Sequence, residues 1–309
     1  MKFVAFLMLA HGLDSKFVAL FQERLLELEQ TTGLGCEGHI FNIPSNSEPS
    51  DVAVLPDGTV AAVSDNGLLI VFSPDGVVLN SFAIEGEPDL EGLAVVPSRP
   101  RSVYLAQEMP PTIIEFSFAR AEVVAKLDLS NVVPMATKDG IESLLYVPGP
   151  VESHPGYFVV GRQHDALLFV FEFNHDLNAI AAALASNKNS LHILAAPGPT
   201  VDLSALTLWK SRVWFLYDKP KTLNAIHLTD FYAAIAQEST LGLQNLASDD
   251  TIGQFSFDIR GQEGIAFSAD YVLVAVDAPH KTGRKDLISY SIPQFFQCFS
   301  AYGTRGIPN

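Results

Sequence analysis

The chain has 309 residues, of which 17% are charged and 48% apolar, a balance that suits a compact globule and excludes an intrinsically disordered chain. Its formal net charge of -16 would repel a phosphate backbone, because binding one requires clustered Lys and Arg. Nucleic acid is therefore not an expected partner, and a cation, a basic protein or an uncharged ligand fits better.

The chain opens with Met1-Lys2, the apolar run Phe3 to Ala10, and Ala10-His11-Gly12. A basic start, a short apolar core and a small-x-small end resemble a secretory signal peptide, and the run is too short to span a bilayer as a helix. Secretion is the localisation this implies. The alternative is a retained segment whose Phe and Leu side chains pack on the domain. No Asn-x-Ser/Thr glycosylation acceptor occurs to add support. Asp14 or Ser15 then caps an expected helix through about Gln30. Its Phe17, Leu20, Phe21, Leu25 and Leu28 fall near helical spacing, and Gly33 and Gly35 provide a stop. A membrane-surface helix favours Lys and Arg on its polar face, whereas this one carries Glu23, Glu27 and Glu29. Docking on the domain is the preferred reading, and any membrane contact would fall to this helix. Residues 1–36 thus form an N-terminal segment, and 37–309 one domain.

From Glu48 onward a short phrase occurs five times. The copies are Glu48-Pro49-Ser50-Asp51-Val52-Ala53, Asp89-Leu90-Glu91-Gly92-Leu93-Ala94, Gly140-Ile141-Glu142-Ser143-Leu144, Asp202-Leu203-Ser204-Ala205-Leu206 and Gly261-Gln262-Glu263-Gly264-Ile265-Ala266. A period of roughly 40 to 60 residues is that of a propeller blade. Each phrase leads into apolar runs separated by turns. The first copy gives Val52 to Leu55, a Pro56-Asp57-Gly58 turn, Val60 to Val63, Leu68 to Phe72, a Pro74-Asp75-Gly76 turn and Val77 to Ile84. Asp-Gly pairs between β-branched runs are a hairpin signal, and four such strands make a blade.

The second copy gives Leu93 to Val96, Val103 to Ala106, Thr112 to Phe118 and Glu122 to Leu129. The third gives Leu144 to Val147, Tyr157 to Val160, Leu167 to Phe173, a helical insertion from Leu177 to Ala185, and His192 to Leu194. The fourth gives Leu206 to Trp209, Val213 to Tyr217 and Leu223 to Leu228, a second insertion from Asp230 to about Leu246, and a strand near Phe255 to Phe257. The fifth gives Ile265 to Phe267, Val272 to Val276 and Leu287 to Ile292, and lacks a fourth strand. His39 to Ile43 supplies it, so the expected fold is all-β: a five-bladed β-propeller closed by an N-terminal strand, with an N-terminal helix and two helical insertions. With Phe41 opposite a residue near Ser289 or Tyr290, the two cysteines, Cys36 and Cys298, would face one another at the seam. A bridge there would contribute roughly 3 to 5 kcal/mol in the chain-entropy model, and two free thiols are the alternative.

In a propeller the first strand of each blade lines the channel, so the third position of the phrase converges near the axis. That position reads Ser50, Glu91, Glu142, Ser204 and Glu263. Clustered carboxylates repel by several kcal/mol at an effective dielectric near 20, so a hard cation is the expected neutraliser. The flexible oxygen shell of Ca²⁺ suits a wide ring better than the compact octahedron of Mg²⁺. The uneven distribution predicts a cation displaced toward Glu91 and Glu142. A second polar set closes the second strands: Asp65, Glu108, Gln163, Asp218 and Asp277. It would add ligands or outline a pocket mouth, or else cap backbone N–H groups with no ion present. Catalytic signatures are weak: there is no Gly-x-Ser-x-Gly elbow, no Gly-rich phosphate loop with Lys and no His pair at ligand spacing. Arg162, His164 and Asp165 cluster at a strand end, and His280, Lys281, Arg284 and Lys285 make a basic loop; both read most simply as solvated.

The phrases at Asp89, Gly140, Asp202 and Glu263 come in an order that resembles the SdiA-regulated family, itself similar to NHL-repeat propellers, over about residues 38–293. That resemblance implies a five-bladed propeller with a calcium site, which would map to Glu91, Glu142 and Glu263. Ser143 and Ala205 stand where the family pattern has Gly, and Gln163 where it has an acid. The esterase-like phytases, which also carry Glu-Gly-Ile/Leu-Ala phrases, resemble the chain more distantly. They imply a metal-dependent hydrolase, for which only Lys138, Arg162 and Lys210 offer nearby positive charge. The leading expectation is a non-enzymatic calcium-binding propeller that presents one face to a protein or small ligand. A hydrolase in the channel and a structural subunit of a larger assembly are the alternatives.

Overall fold

A computed structural model describes residues 38–134, 140–187, 190–237, 251–254, 261–278 and 284–296. The expected N-terminal helix, the signal-like start and both cysteines lie outside the described residues. After β1 (His39–Ile40), the strands come in four consecutive groups of four and a last group of three. The first group is β2 (Pro49–Val54), β3 (Val60–Ser64), β4 (Leu68–Phe72) and β5 (Val78–Ala83). The second is β6 (Leu90–Ala94), β7 (Ser102–Gln107), β8 (Thr112–Ser117) and β9 (Glu122–Asp128). The third is β10 (Ile141–Val147), β11 (Tyr157–Arg162) and β12 (Leu167–Glu172), then helix α1 (Leu177–Ser186) and β13 (Leu191–Ala195). The fourth is β14 (Leu203–Trp209), β15 (Arg212–Tyr217) and β16 (Thr222–His227), then helix α2 (Leu228–Ala236) and β17 (Thr251–Gln254). β18 (Gln262–Phe267), β19 (Tyr271–Ala278) and β20 (Arg284–Ser291) complete the set.

These strands form five four-stranded antiparallel sheets, ordered β2-β3-β4-β5, β6-β7-β8-β9, β10-β11-β12-β13, β14-β15-β16-β17 and β18-β19-β20-β1. Each inner strand, β2, β6, β10, β14 or β18, packs against the inner strands of both neighbouring sheets, so the sheets close into a ring. The molecule is a five-bladed β-propeller. The outer strand of blade five comes from the start of the chain: His39 faces Ser289, Ile40 faces Ile288, and the Phe41 N–H donates to the Leu287 carbonyl at 2.8 Å. Phe41 was expected opposite Ser289 or Tyr290, so the observed register differs by two or three residues.

Apolar alternation sends one face of every strand toward the preceding blade and the other toward the next, which divides the core into five interblade layers. Between blades one and two lie Val63, Leu69, Leu93 and Leu105. Tyr104, Phe158, Phe169 and Phe171 fill the layer between two and three. Val159, Val170, Phe215 and Tyr217 fill the next, Trp214, Leu216, Val272 and Tyr290 the fourth, and Phe41, Phe72, Leu273 and Leu287 the closing layer.

The helices plug three of these layers. Asp176 caps α1 by accepting from the Asn178 N–H at 2.9 Å, and Leu177 and Ile180 enter the layer between blades two and three. Phe231, Ala234 and Ile235 of α2 enter the layer between three and four. A helical turn at 292–296 places Phe295 between four and five. α2 spans Leu228–Ala236 and the outer strand of blade four includes Thr251–Gln254; the rest of the expected insertion, to about Leu246, and the strand expected near Phe255 to Phe257 fall outside the described residues. Residues 238–250 and 255–260 lie outside the described residues.

Candidate functional site

The inner strands begin inside the repeated phrase, not after it. They start at Pro49, Leu90, Ile141, Leu203 and Gln262, where the sequence suggested starts at Val52, Leu93, Leu144, Leu206 and Ile265. In every blade the pairing register slips at the same place: between Pro49 and Asp51, Leu90 and Gly92, Ile141 and Ser143, Leu203 and Ala205, and Gln262 and Gly264. The residue skipped is Ser50, Glu91, Glu142, Ser204 or Glu263. Each third-position residue is thus the extra residue of a β-bulge, which takes it out of the strand register and re-aims its side chain. All five bulges lie at the N-terminal ends of the inner strands, hence at one end of the channel.

The electrostatics there are those of crowded carboxylates. Burial pushes the Glu91 carboxyl well above its usual range, and Glu142, Asp89 and Glu263 push it further. Burial likewise raises Glu263 to about 8, reinforced by Asp218, Asp277 and Asp202, with Lys219 opposing. Glu142 is itself buried. Glu91 interacts with Glu263 across blade one, which carries the short, buried Ser50 at this position. The serines serve the backbone: the Ser50 hydroxyl donates to the Glu48 carbonyl at 3.2 Å, and that of Ser204 to the Gln262 carbonyl of the next blade at 2.9 Å.

The second set divides by partner. The Glu108 carboxylate accepts the Gly140 N–H of blade three at 2.9 Å. Asp218 accepts the Gly261 and Gln262 N–H groups of blade five at 2.8 and 3.2 Å through one oxygen. Both latch one blade to the phrase of the next, which is the capping alternative to a ligand role. Glycine opens these two phrases for a reason: a Cβ on Gly140 would meet the Glu108 carbonyl oxygen at 2.5 Å, and Gly261 has φ of 89°. Where the phrase opens with an acid instead, as at Asp202, the carboxylate turns back to its own blade. It accepts from the Lys219 N–H at 2.7 Å and pairs with the Lys219 Nζ at 2.6 Å.

Asp65 and Asp277 behave differently. Together with Glu48 they bring carboxylate oxygens within 4.8 Å of one another at the seam of blades five and one, and Lys285 pairs with Glu48 there. Burial raises Asp65 to about 6, with Asp277 and Asp89 adding to it. Gln163, the uncharged member of the set, uses its backbone carbonyl to accept the Asp202 N–H at 2.8 Å. Beside it Arg162 is neutralised by Asp165 through two contacts of 3.0 and 2.5 Å, donates to the Pro134 carbonyl and lies over the Phe169 ring. Blade three is therefore the least acidic sector of the mouth.

Two features were not legible as site components. Asp51, next to the bulge of blade one, is fully buried; it accepts its own Val52 N–H at one oxygen and the Leu93 N–H of blade two at the other, both at 2.8 Å. Burial raises its carboxyl well above the usual range. The equivalent residues, Gly92, Ser143, Ala205 and Gly264, are small because inner strands nearly touch: a Cβ on Gly264 would meet the Asp51 Cα at 2.6 Å, and one on Gly92 the Leu144 nitrogen at 2.6 Å. Glu48 was the other omission. It opens the first phrase, and only ring closure brings Asp277 and Lys285 to it.

The fold and this mouth define a class: a five-bladed propeller with an acidic channel end. No family model matches the chain, and no curated protein sequence matches it. Among solved structures it is similar to the Myxococcus xanthus glutaminyl cyclase (10% identity, 81% of this chain and 92% of that one covered, TM-score 0.49). It is also similar to U3-55K (10% identity, 84% and 99% covered, TM-score 0.50) and to a Bacteroides caccae protein of unknown function (11% identity, 82% and 81% covered, TM-score 0.44). At such identities the likeness concerns the fold alone. The expected membership of the SdiA-regulated family is not borne out by these comparisons, which support the propeller fold alone.

Among the described residues, no helix is long and apolar enough to cross a membrane.

Proposed function

We propose that this propeller is a non-enzymatic binding module whose channel mouth takes a hard cation, with Ca²⁺ as the ion, and which presents that face to a protein or small ligand. The observation that carries the reading is that Glu91, Glu142 and Glu263 each stand on a β-bulge at one end of the channel, where Glu142 and Glu263 both raise the proton affinity of Glu91. Among the described residues only Glu48, Asp65 and Asp277 already hold carboxylate oxygens within 4.8 Å of one another, so the ion would draw the three glutamates inward. Carboxylates are the oxygen donors that a flexible Ca²⁺ shell takes, and the ion would relieve a repulsion that otherwise opposes ring closure. Glu91, adjoined by both other glutamates, marks the side of the axis toward which the ion would lie. The Ser50 and Ser204 oxygens retain lone pairs while their protons serve backbone carbonyls. Glu108 and Asp218 are structural latches in this reading, and Asp65 and Asp277 belong to the adjoining seam cluster.

Metal analysis of the purified chain, paired with thermal unfolding with and without a chelator, tests it. Bound Ca²⁺ near one equivalent and a transition lowered by the chelator are the expected results. An unshifted transition and no metal would overturn the cation reading.

One observation favours a second reading, a hydrolase acting in the same mouth. A carboxyl raised to about 8, as Glu263 is, holds its proton near neutrality, as a general acid must. Ester hydrolysis that disappears in Glu263→Gln while the fold persists would favour this reading over the binding module.

A further inference from the structure

We propose that the N-terminal segment, residues 15–30, docks on the outer edge of blade one, along β5 and the apolar residues Val77, Val78 and Leu79. The inference is independent of the cation reading and begins with how the interblade layers are sealed. In blades three, four and five the chain turns helical directly after the third strand. That helix inserts between its own blade and the preceding one: Leu177 and Ile180 of α1, Phe231 and Ile235 of α2, and Phe295 of the 292–296 turn. Blades one and two have only tight turns at that place, Ser73 to Gly76 and Ala119 to Ala121. Among the described residues, the two layers flanking blade one therefore contain no helical residue.

The exposure of the outer strands follows the same division. In β5 every residue is exposed except Phe82, which is half-buried. Val77 and Leu79 are 56% and 50% exposed, and Val78 37%. Such a strand offers unpaired backbone groups together with apolar side chains, an edge that soluble proteins ordinarily cover or charge. By contrast β9, the edge against which α1 packs, carries Glu122, Lys126 and Asp128 among its exposed residues.

The occupant is identified by sequence and by reach. Residues 15–30 carry Phe17, Leu20, Phe21, Leu25 and Leu28 near helical spacing, with Glu23, Glu27 and Glu29 between them. That is the pattern of an element with one face to bury, as α1 and α2 bury theirs. The described chain starts at Gly38, one residue before β1, and the ring of His39 lies 3.2 Å from the Asp75 carbonyl in the turn that leads into β5. Residues 31–37, fully extended, span up to about 25 Å, which is ample from that starting point. Removal of Met1 to Gly12 would leave the docking segment intact.

Two measurements on the full chain test this. Hydrogen exchange is expected to show slow amides within residues 15–30, accelerated at least tenfold in the Val77→Asp/Leu79→Asp variant while the unfolding midpoint of the ring is unchanged. A benzophenone side chain introduced at position 79 is expected to cross-link to residues 15–30 of the same chain, with a yield independent of protein concentration. Exchange in residues 15–30 that is fast in the parent, or slow but unaffected by the variant, would overturn the proposal. So would cross-links that map elsewhere or join two chains, the latter showing that a second copy covers the edge.

Discussion

Replacing Glu263 by Gln removes one charge from the channel mouth while keeping shape and hydrogen-bonding capacity, and its effect has a definite sign. The folded-state carboxyl titrates near 8 against an ordinary value of 4.5, chiefly through burial and then through Asp218, Asp277 and Asp202. A carboxyl raised on folding leaves stability intact below the unfolded value. It withdraws stability as pH climbs through the folded one, so the affected window runs from about 4.5 to about 8. At about 1.4 kcal/mol per pH unit, that interval corresponds to about 5 kcal/mol once the group is fully ionised. Neighbouring carboxylates that retain protons in its place reduce this figure. In urea unfolding with a chelator present, the parent is expected to lose stability from pH 5 to pH 9. Glu263→Gln is expected to lose at least 2 kcal/mol less over the same range. Added Ca²⁺ should reverse the ranking at pH 8, because the parent gains binding free energy that the variant lacks. Parallel pH profiles for the two proteins would refute the electrostatic account, and equal gains from Ca²⁺ would remove Glu263 from the ligand set.

The other predictions concern how blades are joined. Asp218→Ala leaves the Gly261 and Gln262 N–H groups without their acceptor and is expected to cost about 1 to 3 kcal/mol in urea unfolding. Gly264→Ala forces a methyl against the Asp51 backbone and is expected to cost at least as much. Combining it with Asp51→Ala should give a non-additive total, since the two positions touch. Phe231→Ala empties a fully buried site under α2 and is expected to cost about 3 to 5 kcal/mol, with proteolytic cleavage appearing first within 228–236.

Blade number, strand order and both helical insertions were legible because each phrase, Asp-Gly turn and β-branched run is a local signal. The bulge was not, since it is a slip in pairing between two strands and no single strand encodes it. Glu91 and Glu263 therefore could be placed at the axis from the sequence, but the reason their side chains point there could not. The dual character of the second set was half visible: Gly140 and Gly261 alternate with Glu48, Asp89 and Asp202 at the first position. That alternation records whether the preceding blade's carboxylate needs room to reach the backbone, as Glu108 and Asp218 do. Glu48 and Lys285 stand at opposite ends of the sequence, so their pairing depends on ring closure and left no local trace. Asp51 reads as a solvated acid in a polar phrase, yet the close approach of the inner strands makes it the most buried carboxylate of the mouth.

The seam between β1 and β20 also has a meaning in time. His39 pairs with Ser289, so β1 of a chain made from its N-terminus has no partner until about 250 further residues have been synthesised. At about 5 to 20 residues per second, that wait lasts roughly 10 to 50 s. During it blades one to four can assemble from neighbours in sequence, while His39 to Phe41 remain an unclaimed apolar strand beside blade one. Synthesis of β20, rather than any local folding step, sets the earliest moment at which the ring can shut.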